Sequence, residues 1–360
     1  MATCDHLVQI LEAAGERYQR MSLGGDMEIL ISERGARVLG LFPATGAENL
    51  FWTPGIFDSS EAFAAFTGGS DWNMGGERIW IAPEIVYIVG DRDDFFATHQ
   101  VPPAMDPGEF ILSADDGTVM LSMDSMTLTS RVSGASRRMK MRRTLQLAPN
   151  PLSSLRDVDA IMQEVRYGGY VTLAHQEAID GDSTLPSEHW IVAQVNAGGR
   201  IIIPCTPEPE ISEYFSPIPP EIHAVQTGDG VPYTAVEITG RQQFKIGIKS
   251  ASTTGRLAYH FPMTNGEEAL IVRGFHNDPS NFYPEDPPAA PGDFGASIFV
   301  YNDGGQFGGS ASFGEMECVG QTLGGTSTAT QATDAFHLWT YVGTPEAIAR
   351  VAFALLGVAL

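Results

Sequence analysis

The chain has little of what announces specialised chemistry. Three cysteines, Cys4, Cys205 and Cys318, are spread over 360 residues. An odd, sparse set without CxxC spacing supports neither a disulfide framework nor a zinc site. HExxH is absent and no histidines pair at ligand spacing, so neither a metal nor another cofactor is expected. GxSxG is absent too, which removes the nucleophile elbow of hydrolases. The glycine-rich run 304–309 does not follow a strand and open a helix, so it is not a phosphate cradle. No stretch approaches the ~20 apolar residues of a membrane helix. Basic residues are scarce: 21 Lys and Arg face 44 Asp and Glu, for a net charge of -23. Such a surface repels phosphate backbones and anionic lipid, so neither nucleic acid nor membrane is an expected partner. The first twenty residues carry charges inside their apolar run. They read as a short amphipathic helix and not as a secretory signal, which makes a cytoplasmic location the default.

What is present points to strands. Apolar residues make up 43% of the chain and charged ones only 18%, with 39 glycines and 23 prolines. Many turns and few charged helical faces favour β structure. Leu7, Ile10, Leu11 and Ala14 recur at helical spacing, which predicts a helix over residues 5–20. From Asp26 the period becomes two, and residues 27–42 read as two strands around Glu33, Arg34 and Gly35. Residues 53–75 read as a long loop or a short helix, and Pro83 ends a short strand containing Ile79 and Trp80. Residues 108–147 alternate, with Gly134 as a hairpin turn. Met139, Met141 and Leu145 share one strand face, while Arg138, Lys140 and Arg142 share the other. Arg143 falls on the apolar face, where an arginine either sits at the sheet rim or reaches into a cleft; the rim is the expected place. A second β-rich half follows, and the apolar segment from Thr344 to Leu360 reads as a helix. Proline clusters at 204–220 and 279–291 predict long loops, which often line sites. The simplest architecture is one two-layered antiparallel domain over residues 1–360.

The sharpest chemical feature is the strand around Glu315, Met316, Glu317 and Cys318. Period two puts both glutamates on one face, roughly 6–7 Å apart at ~3.3 Å rise per residue. A carboxylate on a partly buried strand acquires a raised pKa and can serve as acid or base near neutrality. The plainer reading of such a pair is a solvated strand face. His6 and His99 read as surface positions. His175, His189, His260, His276 and His337 lie on or beside strands, where a structural role is the plainer reading of each. Arg78, two residues before Trp80, suits sugar recognition, which needs forked donors for hydroxyls and a flat apolar face for C–H groups; a strand-end arginine in a salt bridge is the equal alternative. The segment His276-Asn277-Asp278-Pro279 with Glu285-Asp286 could hold a cation through its oxygen ligands, but it lacks the spacing of a calcium loop, and a solvated loop is the plainer reading.

The order of segments resembles a known superfamily. Residues 35–41, with Glu48, Asn49 and Leu50, are similar to the opening of aldose 1-epimerases. The run from Gly75 to Glu84 resembles the next block of an uncharacterised bacterial branch of that galactose mutarotase-like superfamily. Segments like Phe244 to Ile248, Tyr301-Asn302, Glu315 to Glu317 and a C-terminal helix follow in the same order. The resemblance implies an all-β galactose mutarotase-like supersandwich with a short N-terminal helix and a C-terminal helix. It also implies a concave carbohydrate-binding face and an isomerase. There a late-strand glutamate takes the anomeric hydroxyl proton, a histidine gives one to the ring oxygen, and the ring opens, rotates about C1–C2 and closes as the other anomer. Glu317 matches the glutamate best, with Glu315 in reserve. The histidine block is echoed by Glu188-His189-Trp190, so His189 would be the acid, with His175 competing. Arg78, Trp80, Lys245, Tyr301 and Asn302 would contact the sugar. The expected partner is a carbohydrate, and the expected state a monomer or homodimer.

Two other readings stay open. One is a non-catalytic carbohydrate-binding protein. The other is a polysaccharide or uronate lyase on the same scaffold, its anionic substrate drawn by Arg138, Lys140 and Arg142.

Overall fold

The computed structural model describes residues 2–228, 230–305 and 312–360. Most of the glycine-rich run at 304–309 lies outside them. Two large antiparallel sheets face each other. The nine-stranded sheet runs in the order Tyr18–Gly24, Met27–Ser32, Arg37–Phe42, Glu77–Ala82, Glu188–Asn196, Phe313–Val319, Ala296–Asn302, Phe244–Lys249 and Ile211–Glu213. The ten-stranded sheet runs His223–Gln226, Tyr233–Glu237, Arg200–Pro204, Arg256–Pro262, Glu268–Phe275, Gln331–Gly343, Val165–Gly181, Ser136–Leu147, Thr118–Thr129 and Ile111–Asp115. The all-β sandwich expected from the sequence, with a helix near each end, is the observed fold class.

Alternation builds the core between the sheets. Ile79, Ile81, Ile191, Ala193, Met316 and Cys318 point inward from one sheet. Met139, Met141, Tyr170, Ile271 and Leu338 meet them from the other. Two helices cover outer faces. Cys4–Ala14 lays Leu7, Ile10 and Leu11 on Leu30, Leu39 and Phe63. It stops before the expected residue 20 because Gly15 takes a left-handed φ of 70° and caps the helix. The chain then begins a strand at Tyr18. Pro345–Leu356 opens with Thr344 accepting from the Ala347 amide and ends on Gly357 at φ 74°. Its Ile348, Val351 and Leu355 pack on Leu270, Val272 and Trp339.

The interior also holds charge. Glu77 is fully buried between the sheets and forms ion pairs with Arg143 and Arg273. Tyr170 donates its hydroxyl to the same carboxylate at 2.9 Å. Arg143 also donates to the Ala36 carbonyl at 2.7 Å and to Thr172 at 3.2 Å. The rim position expected for Arg143 is therefore corrected: it crosses from one sheet to the other. An arginine on an apolar strand face is accommodated there because a carboxylate from the facing sheet pairs with it. Burial opposes ionisation of Glu77, but Arg273 and Arg143 outweigh it and hold the carboxyl below its ordinary range. Arg138 and Lys140, by contrast, pair with Asp180 and Glu177 at the surface.

Removing the centre of this cluster leaves two buried cations facing each other. Glu77→Gln is expected to cost about 3–5 kcal/mol, read as a drop in the urea midpoint. Arg143→Met leaves Glu77 paired with Arg273 and Tyr170 and should cost clearly less. Equal losses would contradict a cluster centred on Glu77.

Candidate functional site

Beside Glu77, its neighbour Arg78 points the other way. Glu77–Ala82 pairs with Glu188–Asn196, setting Arg78 opposite Val192 and Trp80 opposite Trp190. On the far side of Glu188–Asn196, Glu315 lies opposite Gln194 and Glu317 opposite Val192. Tyr301 then pairs with Glu315, and Lys245 with Tyr301. Five separate strands thus bring Arg78, Trp80, Trp190, Gln194, Glu315, Glu317, Tyr301 and Lys245 onto one face of the nine-stranded sheet.

Loops close over that face. Pro83 ends the strand and starts the short helix Glu84–Tyr87, which sets Glu84 above the sheet. A second short helix, Phe95–Thr98, delivers Phe95, Phe96 and then His99. Phe215 comes from the proline-rich loop region 204–220. The result is a cavity of about 280 Å³ lined by aromatic rings and by Arg78, Glu84, His99, Gln243, Lys245 and Glu315.

Charge inside the site is organised in two groups. At one side Arg78 Nη1 meets Glu315 Oε1 at 2.9 Å, and Gln194 donates to the same oxygen at 2.8 Å. The Arg78 guanidinium also stacks on Trp80 at 4.3 Å and Trp72 at 5.0 Å. At the other side four groups form a chain. Glu317 Oε2 accepts from Trp190 Nε1 at 2.8 Å and lies 3.3 Å from Lys245 Nζ. Lys245 reaches Glu84 Oε2 at 3.1 Å, and Glu84 Oε1 holds His99 Nε2 at 3.1 Å. Lys245 is itself enclosed by aromatic rings, 4.6 Å from the centre of Trp190 and 5.2 Å from that of Phe299.

The surroundings split the carboxyls apart. Burial raises Glu317, Lys245 opposes, and Glu315 and Glu84 add to the rise, which brings it up to about 7. Burial acts on Glu84 too, but Lys245 and His99 overcome it and bring that carboxyl down to about 2. Glu285 accepts the Glu84 backbone amide at 2.5 Å. Burial and the Glu84 charge, against Lys245, push Glu285 up to about 8. The cation-binding reading of the 276–286 loop gains nothing: Asp278 bonds Ser280, and Asp286 takes Arg92 and the Gly292 amide. Among the described residues, no three His, Cys, Asp or Glu side chains are grouped to hold a metal ion.

Several residues singled out from the sequence do not line the cavity. His189 sits on the opposite face of its strand from Trp190, fully buried, with Nδ1 2.6 Å from Asp334 of the facing sheet. His175 lies on the ten-stranded sheet and bonds Thr333 at 2.9 Å. Asn302 alternates with Tyr301 and points away from the cavity. It accepts the Gly240 amide at 3.0 Å and donates to the Gln242 carbonyl, holding a turn. Glu317 lies beneath Lys245 and Trp190, whereas Glu315 faces the cavity itself. The solvated face weighed for the glutamate pair is excluded, since both residues are buried. His99, expected at the surface, is partly buried in the cavity wall. Nothing in its local sequence signals this, because Glu84 and Lys245 reach it only through tertiary structure.

The split carboxyls have a consequence for stability. The folded chain keeps protons on Glu317 and Glu285 at pH values where an unfolded glutamate, at 4.5, has lost them. Their contribution is complete below 4.5 and is lost as pH rises through about 7 and about 8. The unfolding temperature should therefore fall between about pH 4.5 and about pH 8 and level off above it, with protons released on unfolding. Glu285→Gln should flatten the upper part of that fall. Identical slopes in variant and wild type would rule out Glu285 as its source.

Three solved structures show a distant likeness to this chain. A GalM/aldose epimerase homologue from C. elegans is 10% identical, with a TM-score of 0.46, covering 91% of this chain and 99% of that one. A putative aldose 1-epimerase from Klebsiella pneumoniae is 12% identical, with a TM-score of 0.43, covering 95% and 88%. Galactose 1-epimerase from Lactobacillus acidophilus is 10% identical, with a TM-score of 0.38, covering 91% and 95%. Likeness at this level says nothing about activity. No curated protein matches the sequence. A family model, described as a family of unknown function and designated DUF6786, matches residues 65–360, and the chain belongs to that family.

Proposed function

We propose that the cavity binds one sugar ring and exchanges protons at its anomeric centre, as an aldose 1-epimerase does. The observation that carries this reading is the buried chain Glu317–Lys245–Glu84–His99, which ends in an imidazole on a cavity that Glu315 also faces. Buried charges are costly, and a connected set of them at a cavity is a candidate site for proton transfer. A cavity of about 280 Å³ lies just below the ~300–1,000 Å³ range of drug-sized ligand sites. That size suits a single ring. Indole and phenyl faces would meet its C–H groups, and Arg78, Gln243 and Glu84 its hydroxyls.

The roles differ from those implied by sequence resemblance. Glu315 serves as base in this reading, because Glu317 is covered by Lys245 and Trp190. His99 replaces His189 and His175 as the acid. Glu84 holds its Nε2 and leaves Nδ1 for the ligand. Glu315 removes the proton from the anomeric hydroxyl, the C1–ring-oxygen bond breaks, and His99 protonates the ring oxygen. Rotation about C1–C2 and reversal of both transfers give the other anomer, with no net change in atoms or charge. Lys245, itself held by Glu317, keeps Glu84 charged and fixed, which positions the imidazole.

A non-catalytic binding role is the second reading. It is favoured by Glu315 Oε1, which already accepts from both Arg78 and Gln194. The lyase reading is weaker, since Arg78 and Lys245 each already face carboxylates, leaving less attraction for an acidic sugar.

The test is NMR of freshly dissolved α-anomers across a panel of aldoses. Wild type should speed equilibration of at least one sugar. Glu315→Gln and His99→Ala should each lose about 10²–10⁴-fold of that rate, and Glu317→Gln should lose less. Saturable binding without turnover would support the binding role instead. New unsaturated ends from uronic-acid oligosaccharides would support the lyase, and no sugar binding at all would sink the proposal.

A further inference from the structure

A second cavity of about 460 Å³ adjoins the first. It is lined by Arg34, Ser70, Asp71, Gln100 and Asp106, and it shares Trp72 and His99 with the inner cavity. These two side chains form a wall common to both spaces. Trp72 is held where it stands from several sides. Its ring meets Trp80 edge-on at 4.8 Å, its amide donates to Asp71, and its carbonyl accepts from Arg37 at 2.9 Å. Asp106 accepts from Trp80 Nε1 at 2.9 Å and pairs with Arg37 at 2.5 Å, so the floor of the outer cavity and the wall of the inner one are one hydrogen-bonded unit. An aromatic ring fixed between two polar-rimmed cavities is the arrangement that linked sugar rings need. Each ring requires an apolar surface for its C–H face and separate donors and acceptors for its hydroxyls.

We infer that the site takes a reducing disaccharide or the end of a longer oligosaccharide. This rests on the sugar-binding reading above. The reducing ring lies in the inner cavity with its free anomeric centre at Glu315. The next ring lies beyond Trp72, with Ser70, Asp71, Gln100 and Arg34 around it. Arg34 and Asp71 supply a charged donor and a charged acceptor there, so a neutral, hydroxyl-rich ring fits better than an acidic one.

The experiment compares equilibrium binding of aldohexoses with that of their reducing disaccharides, such as maltose, cellobiose and lactose, by tryptophan fluorescence and calorimetry. A second ring should tighten binding by tenfold or more for at least one linkage. Ser70→Trp places an indole in the outer cavity from an exposed position, where folding tolerates it. It should abolish the gain from the second ring and leave hexose affinity unchanged. Hexose binding with no gain from any second ring overturns this inference alone. A Ser70→Trp variant that weakens hexose and disaccharide equally also overturns it. Failure of every sugar to bind removes the sugar reading itself.

Discussion

The structure depends on the alternation of one strand, Glu77–Ala82. Successive side chains of a strand point to opposite faces, and here the two opposite directions carry different tasks. Glu77 enters the space between the sheets and meets Arg143, Arg273 and Tyr170 from the ten-stranded sheet. Arg78, one residue on, enters the cavity and meets Glu315. A carboxylate that pairs with two arginines at the centre of the sandwich fixes how the sheets stack. It fixes, by the same geometry, where Arg78 and Trp80 stand on the other face. A slip of one residue would exchange them, burying Arg78 against the core and emptying the site.

The cavity obeys the same economy of charge. Its two cations are held by carboxylates, and its carboxylates have cations or amide donors. Glu84 sits between a lysine and a histidine and stays ionised far below the ordinary range. Glu285 and Glu317, close to the same charges, hold protons to about 8 and about 7. Pairs of carboxyls driven apart by their surroundings are how a site keeps both a fixed charge and a mobile proton at one pH. Aromatic rings around Lys245 and Arg78 exclude water and strengthen every one of these interactions.

How far the sequence discloses this site follows from where its residues lie. Arg78, Trp80 and Glu315 stood out as candidates in the residues themselves, each on a regular strand, whereas Lys245 and Tyr301 came only with the family resemblance. His189 was drawn from the same kind of strand, yet alternation with Trp190 turns it toward Asp334 of the other sheet. Asn302 beside Tyr301 fails for that same reason. Arg143 was misplaced because its partner, Glu77, is sixty-six residues away in sequence. Glu84, His99 and Phe215 come from loops and one-turn helices, which have no period to read. Their contribution arises only when Pro83 and the segments after it fold back over the sheet.

The sequence by itself determined the class of the protein. Alternating apolar runs, frequent turn residues and scarce charge require sheets, and two glutamates at i and i+2 require a shared face. Those properties are local, set by the pleat and by side-chain chemistry over a few residues. Tertiary structure alone decided which glutamate faces the cavity, which histidine stands beside it, and how the carboxyl pKa values divide. Those depend on distances between strands and loops far apart in the chain. Burial and nearby charge act through space, and no short stretch of sequence contains them.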